Sequence, residues 1–151
     1  MAAITAAGGP SYQWREIDPT DGTDAASPVF PSEAQRHQQA TLVRSFTSQL
    51  LGADPNASVV VLGDLNDFDF SQTASILVGS GGTALTDLPR TLPLPERYTY
   101  DFQGNCEVLD HILVSPALVS GGFAYDVVHV NSEYPDQASD HEPQVVRLSI
   151  P

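Results

Sequence analysis

The chain has 151 residues, a single cysteine, and 19 acidic against 6 basic side chains, for a formal net charge of -13. That length suits one domain able to bury a core without disulfide staples, and that charge repels polyanions, which excludes duplex DNA as the default partner. No apolar run approaches the roughly 18 to 20 residues of a membrane-spanning helix, and the start at Met1-Ala2-Ala3-Ile4-Thr5 reads as lacking the basic and apolar regions of a signal peptide.

Residues 1–31 read as an N-terminal extension and loop, with one short strand expected over Tyr12–Ile17. Asp18, Asp21 and Asp24 follow among Asp-Pro and Asp-Gly turn signals. They lack the glycine and closing glutamate of an EF-hand loop and are read as turn residues. From residue 32 the domain proper begins. Ser32 with Gln35 three residues on suits a capping box, which predicts a helix from about Glu33 to Leu51 stopped by Gly52. Its expected buried stripe is Leu42, Val43, Phe46, Leu50 and Leu51, with His37 at the surface. Asp54 to Ala57 then turns the chain.

Val59-Val60-Val61-Leu62-Gly63-Asp64-Leu65-Asn66-Asp67 is the most informative stretch. Four aliphatic residues suit a strand covered on both faces, of the kind found in α/β architectures, and Gly63 lets the chain turn so that Asp64 and Asn66 stand at the sheet rim. A short helix is expected at Gln72 to Val78 behind a Ser71 cap, and Gly79 to Gly82 reads as linker. Two prolines make Thr91 to Arg97 irregular. Tyr98–Phe102 and Val108–Val114 are read as the arms of a hairpin turning at Gln103-Gly104-Asn105. Within the second arm Asp110 and His111 must face opposite ways, and Asp110 is the one assigned to a site. Tyr125 to Val130 and Gln144 to Ile150 are further strands. Between them, Ser139-Asp140-His141-Glu142-Pro143 places a histidine beside an aspartate at a strand mouth, a plausible acid–base element.

Carboxylates at three strand ends, an asparagine and a histidine suit metal-assisted hydrolysis of a phosphate ester, which needs a base, a charge-neutralising cation and a donor to the transition state. Gly63-Asp64-Leu65-Asn66, Tyr98-Thr99-Tyr100 with Leu109-Asp110-His111-Ile112, and Ser139-Asp140-His141, in that order, resemble the C-terminal half of the endonuclease/exonuclease/phosphatase superfamily. The helix with Glu33-Ala34-Gln35-Arg36-His37-Gln38-Gln39-Ala40 is similar to one in secreted bacterial nuclease-like members. The resemblance implies a partial DNase I-like α/β sandwich over 32–151, with one mixed sheet and helices on one face. It implies that Asp64 orients or deprotonates the attacking water and Asn66 bonds the phosphate. It further implies that His141 contacts the phosphoryl oxygens, that Asp110 orients His141, and that Asp140 lies near a weakly bound Mg2+, Mn2+ or Ca2+. It suggests a secreted parent.

The motifs of the superfamily's first half, including its metal-binding glutamate, are not recognisable in residues 1–58, and Glu16 is not assigned that role. Half a sandwich would expose the apolar face of its sheet, so a homodimer that rebuilds the missing layer is expected. The expected activity is a divalent-metal-dependent phosphoesterase or nuclease-like hydrolase acting on small phosphate esters. The alternatives are a non-catalytic interaction module and a carboxylic-ester hydrolase using the same Asp/His cluster or Ser139.

Overall fold

The most apolar strand lies in the centre of the molecule, and its two faces organise the rest. A computed structural model describes residues 32–102, 104–132 and 134–150; the strand expected over residues 12–17 and the aspartates of the 1–31 extension lie outside the described residues. Strand β5 (Asp110–Val114) sits between β1 (Val60–Asp64) and the short β2 (Thr86–Asp87), antiparallel to both. Its alternating side chains feed two cores. Leu113 joins Val61, Ala40, Leu51, Leu65, Leu77 and Leu85 on one face. Ile112 and Val114 join Leu88 and Leu118 on the other, with Val60, Phe123, Tyr125, Val146 and Leu148 packed around them.

The first face is covered by α1 (Glu33–Ala53) and α2 (Gln72–Val78), which pack on each other. The second is covered by α3 (Pro116–Ser120) and by the antiparallel pair of β6 (Phe123–Val127) and β7 (Gln144–Leu148). Strands β3 (Tyr100–Phe102) and β4 (Asn105–Glu107) form a separate hairpin. The expected α/β architecture is thus present, with a different layering from the single mixed sheet expected. Among the described residues there are three sheets, every strand pair is antiparallel, and helices flank both faces. The face expected to need a partner copy is therefore largely covered within the chain.

Several local expectations change for physical reasons. Helix α1 runs two residues past Leu51, through Gly52, and Asp54 ends it. Ser32 makes no side-chain cap bond; its hydroxyl accepts from Arg36 instead. The buried face of α1 is Arg36, Ala40, Thr47 and Leu51, whereas Leu42, Phe46 and Leu50 form an exposed ridge. Arg36 is admitted to the interior because Asp67 receives its Nε at 3.0 Å, and Thr47 because its hydroxyl bonds the Arg44 carbonyl. The strand at 110–114 pairs with β1 and β2; the local hairpin closes on Asn105–Glu107. β1 is covered unevenly, since Val61 is buried but Leu62 is 43% exposed at the sheet edge. β6 ends before His129, which stacks on Tyr98.

Helix α2 forms where expected. The Ser71 hydroxyl accepts the Ala74 N–H at 3.1 Å, and Gly79, in the left-handed region at φ 66°, closes the other end. A Cβ at Gly79 would run into the Arg44 guanidinium, which caps the carbonyls of Val78 and Thr83. Ser71→Ala is expected to lower folding stability by about 1 kcal/mol, read as a shift in the urea midpoint.

Candidate active site

Two strand ends and one loop bring the charged groups together. In the β1–β5 register Asp64 stands directly opposite Asp110, and Gly63 opposite His111. Opposed residues share a face, so both carboxylates lie on one side of the sheet while His111 lies on the other. His141 arrives from the loop before β7. A single bridge pairs its backbone with Tyr100, whose ring leans on the imidazole with centroids 4.9 Å apart. Its Nδ1 lies 2.6 Å from Asp110 Oδ2, and Nε2 has no hydrogen-bond partner among the described residues. Ligand atoms of Asp64, Asp110 and His141 all lie within 4.8 Å of one another, and all three side chains are half-buried.

Beyond Asp64 the chain enters a tight turn. Asn66 takes φ 48°, a left-handed angle that asparagine tolerates, and both its backbone N–H and its Nδ2 donate to the Asp64 carboxylate at 2.8 and 3.1 Å. Asp67 then fastens the loop from two sides. Its carboxylate receives Arg36 from α1, and its carbonyl receives His111 Nε2 from β5 at 3.2 Å. His111 is fully buried, and its Nδ1 faces both oxygens of Asp87 at 3.1 and 3.0 Å. Both ring nitrogens meet acceptors, so the ring donates at both and is held as imidazolium.

The electrostatics follow from this packing. Burial pushes the Asp64 carboxyl above its usual range; the Asn66 N–H opposes that, and the nearby Asp110 charge adds to it. The Asp110 hydrogen bond raises His141, against the opposing effect of burial. A carboxyl of raised basicity beside an imidazole that favours its charged form can accept a proton at one end of the site and donate at the other.

Of the residues chosen from the sequence, Asp64, Asn66, Asp110 and His141 are brought together. Asp140 lies on the exposed loop next to His141, outside the three-residue group that shares ligand distances, although its charge contributes to raising His141. Ser139 Oγ accepts the His141 N–H at 3.1 Å, a contact of its own turn. Arg36, Asp87 and His111, which fasten the Asp64 loop, carried no assigned role in the sequence. A carboxylate in a Leu-Thr-Asp-Leu-Pro stretch gives no sign of its partner 24 residues on, although an interior His111 called for an acceptor.

The model of the endonuclease/exonuclease/phosphatase family matches residues 6–141. Among solved structures, a mannosyl-6-phosphatase of Bacteroides thetaiotaomicron is similar over 78% of this chain and 46% of that chain, with a TM-score of 0.55 and 26% sequence identity. The chain therefore spans about half the length of that structure. No curated protein matches it closely enough to count as a relative.

Proposed function

The chain belongs to the endonuclease/exonuclease/phosphatase family, and on that footing we propose that it is a divalent-metal-dependent phosphoesterase acting on small phosphate esters. The observation that carries this reading is the convergence of Asp64, Asp110 and His141 within 4.8 Å. Two carboxylates facing each other across a strand pair repel, and a hard cation relieves that repulsion. Oxygen-rich donors of this kind suit Mg2+, Mn2+ or Ca2+. Asp64 and Asp110 would hold the ion, whereas Asp140, the carboxylate expected beside it, lies outside this group. When bound, it supplies positive charge to the phosphoryl oxygens.

The chain's own groups do the rest. Asp64 orients the attacking water beside the ion and takes its proton. Asn66, held in its left-handed turn by Asp64, presents its amide to the phosphate. His141 gives Nδ1 to Asp110, which leaves Nε2 as the donor toward the phosphoryl oxygens or the leaving group. A net charge of -13 favours a compact ester over a nucleic-acid polyanion. A sugar phosphate is the first class to try, since the structural neighbour is a mannosyl-6-phosphatase.

The chain's span of 46% of that neighbour favours a second reading, a binding module of the same fold without turnover. Hydrolysis of p-nitrophenyl phosphate, bis(p-nitrophenyl) phosphate and p-nitrophenyl acetate, each with Mg2+ and with EDTA, separates the possibilities. Phosphate-ester turnover that needs the ion and stops with chelator is expected. EDTA-resistant turnover of the acetate would point to a carboxylic-ester hydrolase, and no turnover on any ester to the module. A homodimer that pairs two copies through the sheet face remains part of this reading; light scattering that finds only monomer at micromolar concentration overturns it.

A further inference from the structure

The Asp110–His141 hydrogen bond joins segments 31 residues apart. His141 sits in an irregular stretch with a single backbone bridge of its own. Two buried polar side chains that the proposed chemistry does not use meet behind this pair. Glu142 is 4% exposed. Its Oε2 accepts the N–H groups of Val130 and Asn131 at 2.8 and 2.9 Å, and its Oε1 accepts the Ser132 N–H and hydroxyl at 2.8 and 2.7 Å. The turn thus gathered sends Asn131 Nδ2 back to the His141 carbonyl at 2.8 Å. Thr99 is fully buried. Its carbonyl accepts the Glu142 N–H at 2.7 Å, and its hydroxyl accepts the N–H groups of Leu109 and Asp110, both at 3.1 Å. One threonine therefore touches the backbone at both halves of the pair.

We propose that Glu142 and Thr99 are positioning residues that set the distance between Asp110 and His141, a role that rests on the phosphoesterase reading. A buried carboxylate is costly unless its oxygens are satisfied. Here all four accepted bonds go to the turn that bonds the His141 carbonyl, so the carboxylate is spent on placing that residue. A loop that only had to reach β7 needs no such group. The 2.6 Å bond between His141 and Asp110 leaves little tolerance for displacement, and errors near 1 Å at a reacting group cost on the order of 100-fold in rate.

The test compares wild type with Thr99→Val, Thr99→Ser and Glu142→Gln in the full chain loaded with Mg2+. Val keeps the shape of Thr but removes the acceptor for two N–H groups. Gln sets an amide N–H against donors that now meet a carboxylate oxygen. We expect kcat on p-nitrophenyl phosphate to fall about 10- to 100-fold in Thr99→Val and Glu142→Gln, with KM unchanged. The His141 imidazole signal in 1H–15N NMR, assigned through His141→Asn, should shift in both, and Thr99→Ser should restore rate and signal. Folded Thr99→Val and Glu142→Gln proteins with wild-type kcat and an unshifted His141 signal would overturn the proposal, as would a change confined to KM. If Thr99→Val does not fold, Glu142→Gln decides. Should the wild type hydrolyse no phosphate ester, the enzyme reading fails while the His141 signal still decides the positioning.

Discussion

Asp64→Ala is expected to lower phosphate-ester turnover by about three orders of magnitude while leaving the fold intact. General-base catalysis by a placed carboxylate contributes roughly 100- to 10,000-fold. Asp64 adds to that by holding Asn66, whose N–H and amide both donate to it, so one substitution removes the proposed base and loosens the residue proposed to contact the phosphate. The loss should appear in kcat and in kcat/KM alike, as for an interaction made in the transition state. Stability should change little, because the two hydrogen bonds lost from Asn66 are offset by relief of the repulsion with Asp110 across the strands. Steady-state kinetics with a thermal melt on the same protein checks both statements. A rate within tenfold of wild type would remove Asp64 from the chemistry.

The second large effect is structural. Asp87→Ala strips the buried His111 imidazolium of its counter-charge, and breaking such a pair costs about 3–5 kcal/mol. Against a total stability of about 5–15 kcal/mol for a domain, that is enough to leave part of the protein unfolded. Urea titration at neutral pH measures it. The wild type also carries a pH signature from this pair. Burial opposes the charged form of His111, but the Asp87 hydrogen bond and charge outweigh it and raise the folded pKa. The pair's contribution is fully present below the unfolded histidine value of about 6.5 and is lost as pH rises through the folded value. Asp87→Ala should abolish that decline.

Glu142 acts on the opposite side of the pH scale. Burial raises it, yet the Ser132 hydroxyl and the N–H groups of Val130, Asn131 and Ser132 bring its folded pKa below the ordinary value. Its contribution is present above the unfolded carboxylate value and is lost as pH falls through the folded one. Chemical denaturation of Glu142→Gln beside the wild type at low and neutral pH reads the difference.

What the sequence made legible was the chemistry that local patterns carry. Ser71 and the residues after it specify α2 because the cap bond spans three residues. The break from Val61 and Leu62 to Asp64 and Asn66 marks a strand that delivers polar groups, and Asp110 interrupting an apolar strand asks for a partner. What stayed hidden depends on partners distant in the chain. Arg36 and Thr47, rather than Phe46 and Leu50, face the core of α1; the cause for Arg36 is Asp67, 31 residues away. Strand β5 leaves its neighbour in sequence for β1, about fifty residues earlier, a choice set by sheet register and invisible to alternation. Thr99 and Glu142 lie inside recognisable motifs, but only the fold shows that their bonds converge on the same pair.

Register gives the Asp64–Asp110 opposition a meaning beyond chemistry. If β5 slipped by one residue against β1, its side chains would exchange faces: Asp110 would turn into the helix-side core and His111 toward the face of the candidate site. Under the phosphoesterase reading such a chain would lose its turnover, so activity would serve as a gauge of strand alignment. Like charges set opposite each other also weaken pairing. The sheet is therefore least secure at the end that carries the candidate site, and opening of β1 from β5 should begin there.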